Sequence, residues 1–161
     1  MKRNKAIGWF ITPLLAIGLF ALYLKRKAKT AENLRFEFLN LGIDKKKTNL
    51  SRIYFNIKLR AINSETENIN IKLLNINLFI NDNNIGNILN QTPFVVPKNS
   101  QTDINLSVNF STLSAGSIIY NIVKNVITNK AIKFTAKFDG FADTDLGRFP
   151  INIVTPVNID F

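Results

Sequence analysis

The sequence predicts a mainly β protein: an antiparallel, immunoglobulin-like β-sandwich of about seven strands with one amphipathic helix, preceded by a single transmembrane helix. Three observations carry this expectation. Apolar and polar residues alternate with period two in segment after segment between Leu34 and Phe161. One segment, near residues 114–130, changes to helical spacing. Ala6 to Leu24 runs 19 residues without a charge. With 161 residues, 46% of them hydrophobic, the chain has room for one domain with a real core plus an appendage.

The chain divides into a basic flank (1–5), the apolar span (6–24), a basic juxtamembrane linker (25–32) and the sandwich domain (33–161). At ~1.5 Å per residue a 19-residue helix crosses most of a ~30 Å hydrocarbon core. Trp9 and Tyr23 stand near its two ends, where amphipathic rings favour the membrane interface, and Phe10, Leu14, Leu15, Leu19 and Phe20 supply the apolar surface. Pro13 in the second turn introduces a slight kink. A cleaved signal peptide needs small residues at −3 and −1 of the cut. A cut after Ala28 puts Arg26 at −3, and a cut after Ala31 puts Lys29 there, so the span reads as an uncleaved anchor. Lys25, Arg26, Lys27 and Lys29 are placed to contact lipid headgroups. The basic flanks of the span nearly balance; the C-terminal domain is assigned to the extracytoplasmic side.

The formal charge of +10 belongs mostly to this arm. The first 29 residues carry +7 with no acid, whereas residues 30–161 hold 14 basic and 11 acidic residues. So small an excess on the main domain argues against nucleic-acid binding.

The strands follow in order. Leu34, Phe36 and Phe38 alternate with Arg35 and Glu37. "RIYFNIKLRAIN" sets Ile53, Phe55, Ile57, Leu59 and Ala61 on one face. In "NINIKLLNINLFINDNNIGN", Ile69, Ile71 and Leu73 share one phase and Leu74, Ile76, Leu78 and Ile80 the other. A one-residue slip would turn half the strand inside out, so a β-bulge at Leu73-Leu74, or a crossing between sheets, is expected. Asp82, Asn83 and Asn84 suit the hairpin turn that follows. Ile104, Leu106, Val108 and Phe110 mark the next strand, Ile132, Phe134, Ala136 and Phe138 another, and Ile151, Ile153, Val157, Ile159 and Phe161 the last. Such alternation is the mark of antiparallel strands wet on one side.

Between them, Ile118, Ile119, Ile122, Val123, Val126 and Ile127 form one stripe of an amphipathic helix, with Ser114 as N-cap and Asn129 as the residue that ends it. Asparagine (23 residues) and isoleucine (22) take alternate places, isoleucine inward. Asparagine is a poor strand former, so coding bias accounts for it better than propensity. A sugar-binding asparagine face would want an aromatic platform, and no aromatic residue stands in register with the asparagines.

The chemistry is sparse. The chain has no histidine and no cysteine, which removes imidazole bases, thiolate metal sites and disulfides. Asp139, Asp143 and Asp145 are the one acidic cluster; as calcium ligands they lack a terminal glutamate, and they read instead as turn formers between two strands. Asn49, Asn90 and Asn109 open glycosylation-type triplets, which so many asparagines produce by chance. The residues call for no cofactor and no catalysis.

The order of segments resembles the late-embryogenesis-abundant type 2 family, the water-stress and hypersensitive-response domain. "FNIKLRAIN", "INIKLLNINLFINDNNIGN", "FVVPKNSQTDINLSVNF" and "KFTAKFDGFADTDLGRFPINI" are similar to its successive strands and cover most of residues 33–161. Asn63-Ser64 stands where that family often has Asn-Pro. The resemblance implies a seven-stranded sandwich with a helix, often tethered by an N-terminal span, and brings no catalytic residues. The expected function is a membrane-anchored, non-enzymatic sandwich with a structural or partner-binding role at a bacterial or phage-like membrane, its partners the bilayer and a protein. A carrier of lipid or small apolar ligands, with a cavity between the sheets, is the alternative.

Overall fold

The computed structural model describes residues 33–113 and 116–160. The anchor, the headgroup-contacting cations and Ser114 lie outside the described residues. Among those described, no helix is long and apolar enough to cross a membrane.

Among the described residues, eight strands and one helix follow in order: β1 (Leu34–Ile43), β2 (Arg52–Asn63), β3 (Ile69–Ile80), β4 (Asn83–Asn90), β5 (Phe94–Val96), β6 (Ser100–Ser111), α1 (Gly116–Ile127), β7 (Ile132–Thr144) and β8 (Gly147–Ile159). They form two antiparallel sheets. The smaller has the order β1-β2-β6; the larger has β4-β3-β7-β8, with β5 also paired to β3. The extra strand beyond the expected seven is β5, which meets β3 only at Ile69–Ile71.

The phase slip in β3 is a bulge one residue earlier than expected. Against β7, Ile71 pairs with Thr144 and Leu73 with Asp143, so Lys72 is the additional residue. Ile69 and Ile71 before it and Leu74, Ile76, Leu78 and Ile80 after it are all fully buried. The bulge therefore keeps one face of β3 in the core throughout. β1 carries a second bulge, at Leu39, which brings Leu41 into the core after Leu34. The β3–β4 turn is also shifted by one. Ile80 pairs with Asn83, and Asn81 (φ 47°) and Asp82 (φ 65°) make the two-residue loop, both left-handed as the twist of a tight hairpin requires.

A bulge at Ile85 follows, and Gly86 (φ 156°) leaves space that a Cβ would deny: the Phe110 ring would stand 2.5 Å from it. The "IG" dipeptide thus lets β4 lie against β6 of the other sheet.

The buried residues of both sheets form one contiguous cluster. Phe38 stacks on Phe138 across the sandwich at 5.7 Å between ring centroids, and Phe55 meets Phe110 at 6.1 Å. Helix α1 closes one end, burying Ile119, Ile122, Val123 and Val126. Ile127, expected in that stripe, is exposed in the last turn. The helix stops as expected at Asn129 (φ 54°): Lys130 N donates to Asn125 O at 2.9 Å and Asn129 N to Val126 O at 3.2 Å, the Schellman pairing.

Candidate functional site

The three aspartates singled out in the sequence do not converge. Asp139 and Asp143 lie within β7, which runs on to Thr144, so only Asp145 belongs to the turn. Asp143 accepts from Arg148 Nε at 2.8 Å and from Nη2 at 3.2 Å; this hydrogen bond holds its carboxyl below the usual carboxylate range. Asp145 accepts from the Asn70 amide at 3.2 Å and from Asn70 Nδ2 at 2.7 Å, tying the turn to β3. Asp139 stands 3.7 Å from Lys137 Nζ. Among the described residues no three acidic side chains are grouped to hold a metal ion.

The feature that sequence reasoning missed is the outer face of the larger sheet. Its register brings together side chains far apart in the chain. Asn75 on β3 pairs with Leu89 on β4 and with Phe141 on β7, and Phe141 pairs with Pro150 on β8. The next row is Asn87, Asn77, Asp139 and Asn152. The third is Asn84, Phe79, Lys137 and Val154. Two aromatic rings therefore do stand in register with the asparagines, contrary to the expectation from the strand alone.

Hydrogen bonds order the asparagines. Asn87 Nδ2 donates to Asn75 Oδ1 at 2.6 Å and to Asn77 Oδ1 at 3.1 Å. Both oxygens are thereby taken by one donor, which leaves the Nδ2 groups of Asn75 and Asn77 as donors. Cations cap the rings: the Arg148 guanidinium carbon lies 3.9 Å from the Phe141 centroid, and Lys137 Nζ lies 5.3 Å from that of Phe79. Leu89 (53% exposed) and Val154 (63%) are apolar side chains on the same face. The surface combines rigid amide donors, aromatic rings and a fixed guanidinium on paired β-strands. It can recognise a complementary surface by stacking and hydrogen bonding.

The other sheet's outer face is simpler. Asp103 on β6 accepts from Arg60 Nε at 2.7 Å and pairs with Lys58 Nζ at 2.9 Å, both on β2. The Arg60 hydrogen bond, then that from Lys58, depresses the carboxyl from 3.8 to about 2. Both open edges of the sandwich nearest each other, β1 and β8, are guarded against strand addition. β1 is bulged, and β8 carries Pro150 and Pro156. Six residues apart, the two prolines present their missing amides in the same direction, which on an edge strand is outward.

No family model matches the chain, and no curated protein matches it. Solved structures do. The chain is similar to the solution structure of AT1g01470 from Arabidopsis thaliana, with 15% identity and TM-score 0.58, covering 80% of this chain and 82% of that one. It is also similar to the crystal structure of a protein from Archaeoglobus fulgidus, with 9% identity and TM-score 0.50, covering 78% of this chain and 98% of that one. A solution structure provisionally assigned to the late embryogenesis abundant (LEA) proteins aligns at 13% identity over all of this chain and 93% of that one, but its TM-score of 0.42 is too low to argue from. The first two likenesses are of fold: two antiparallel sheets packed as a sandwich, in a plant and an archaeal protein.

Proposed function

We propose that this chain is a membrane-tethered, non-enzymatic β-sandwich that captures a protein partner on the outer face of its larger sheet. Residues 6–24 hold it in the bilayer as a single-pass span, Lys25, Arg26, Lys27 and Lys29 lie against headgroups, and the sandwich stands on the extracytoplasmic side of a bacterial or phage-like membrane. The observation that carries the reading is the row of Phe141, Asn75 and Leu89 beside Arg148. Aromatic rings with a guanidinium are the composition of interface centres, and they sit here on a rigid sheet. The ionisable groups support it too, since Asp103 and Asp143 are spent in exposed pairs instead of meeting in a cleft. A tethered domain also gains effective concentration for partners in the same membrane, so a modest face suffices.

The test is a photo-cross-linking residue at Asn152 in the full chain, in native membranes. One recurring adduct is expected, lost in the Phe79→Ser, Phe141→Ser double variant and absent when the probe sits at Asn56 on the opposite sheet. The same adduct from both faces would refute the assignment. The tether is checked separately. The chain should resist alkaline carbonate, and Leu15→Arg should weaken insertion by roughly 2.5–3.5 kcal/mol. Release by salt alone would remove the span from the reading.

A further inference from the structure

At one end of the sandwich, four apolar side chains face solvent: Leu113 (93% exposed), Leu50 (60%), Ile127 (52%) and Tyr120 (50%). They are neighbours. Leu50, Leu113 and Tyr120 line one groove of about 520 Å³, and Leu50 and Ile127 line the adjoining one of about 680 Å³. The end is held in shape by Thr112, whose Oγ1 donates to Leu50 O at 2.6 Å, and by Lys45 Nζ, which donates to Asn129 Oδ1 at 2.8 Å.

Charge gathers at the same end. Residues 44–52, 81–82, 116–133 and 160 hold seven cations and three carboxylates; the remaining described residues hold seven of each. The whole positive excess of the described domain therefore lies in the segments at this end, where Arg52 lines the groove with Leu50 and Ile127 and Lys47 pairs with Asp44 at 3.5 Å. Apolar tips on a cationic end match an anionic bilayer surface: the hydrocarbon enters the acyl boundary while the cations stay among the headgroups.

The patch also faces away from the chain's entry. Asn33 lies at the other end, where Ser64 N donates to its carbonyl at 2.9 Å. The 12 residues of β2 separate the two ends, a length of about 40 Å. The eight residues of the linker, 25–32, reach at most about 28 Å when fully extended. A domain standing upright on them turns the helix end away from the bilayer that holds the span.

We propose that the helix end docks on an anionic lipid bilayer other than the one holding residues 6–24, so that the chain bridges two membrane surfaces. The bridging rests on the tether proposed above; the docking does not.

The experiment reconstitutes the full chain in neutral phosphatidylcholine vesicles and adds acceptor vesicles with or without phosphatidylglycerol. Light scattering and acceptor-lipid pull-down report clustering. Clustering is expected with phosphatidylglycerol acceptors only, and its loss in Leu113→Asp, Tyr120→Asp. Lys46→Glu with Lys47→Glu should weaken acceptor binding on the order of fivefold per cation removed. Leu113 and Tyr120 are exposed, so folding should survive, and circular dichroism checks it. Equal clustering with neutral acceptors, or none lost in either variant, would overturn the proposal. If alkaline washing strips the chain from the donor vesicles, the tether has failed. The same variants are then compared by co-sedimentation with phosphatidylglycerol vesicles, where a loss of at least fivefold upholds docking and no loss overturns it.

Discussion

At Asn63 a single buried amide joins three pieces of chain. It is 1% exposed at the end of β2. Its Nδ2 donates to the carbonyls of Glu67 at 2.8 Å and of Val96 and Pro97 at 3.1 Å, while Oδ1 accepts from the Glu65 amide at 2.8 Å. An asparagine is suited to this because one end carries two N–H bonds, one of them shared here between two carbonyls, and the other end accepts. Asn63→Ala would leave these groups without a partner and is expected to cost at least about 1–3 kcal/mol. Asn63→Asp keeps the size but turns a carboxylate toward three carbonyl oxygens, so it should cost more. Urea unfolding of the two variants measures the order; an aspartate variant as stable as wild type would show that the carbonyls do not depend on this amide. The sequence marked Asn63 only as the end of a strand. The partners lie up to 34 residues away, and nothing in local periodicity points to them.

Among the elements, legibility followed length and regularity. β2 was readable to its last residue because "RIYFNIKLRAIN" alternates without interruption. The helix was readable because its stripe contrasts with the strands around it. β5 was not, since three residues carry no period. The bulge in β1 was equally visible in principle, in the step from Phe38 to Leu41, but "FLNL" is too short to separate a slip from noise. The outer-face site was out of reach because it depends on which strands are neighbours and in what register. Asn75 and Phe141 meet only once β3 and β7 have paired. The pairing of β2 with β6 makes its own prediction. Asp103 titrates near 2 in the folded chain against 3.8 as its ordinary value. A depressed carboxyl adds stability above its unfolded value and loses it as pH falls through the folded one. Between 3.8 and about 2, Asp103→Asn should therefore flatten the decline of the urea midpoint with falling pH, and an unchanged slope would dissociate Asp103 from acid unfolding. The pair is exposed, so the effect is small and weaker in salt.

For the molecule as a whole, the order in which strands are made differs from the order in which they pair. Ile76 meets Ile88 within one hairpin, but its other neighbour, Gly140, lies 64 residues further along the chain. The second sheet waits likewise, with Ile57 on β2 paired to Leu106 on β6. Such long-range pairing is slow, roughly milliseconds to seconds in isolated domains. During synthesis it is slower still: at about 5–20 residues per second, β3 waits roughly 3–13 seconds for β7 to be made. Through that interval the isoleucine stripe of β3 is shared only with β4 and β5, and the growing chain is exposed to pairing with other copies of itself. The alternate positions of that waiting strand are held by asparagine, which resists strand formation. Asn75 and Asn77 are therefore expected to act as gatekeepers against pairing between copies during that wait. Replacing both with threonine should leave the unfolding midpoint of the finished domain level or higher, yet raise the insoluble fraction during cell-free synthesis. An insoluble fraction that does not move would deny them that duty. The asparagines of β3 would then matter twice: on the face of the completed sandwich, and in the seconds before the sandwich exists.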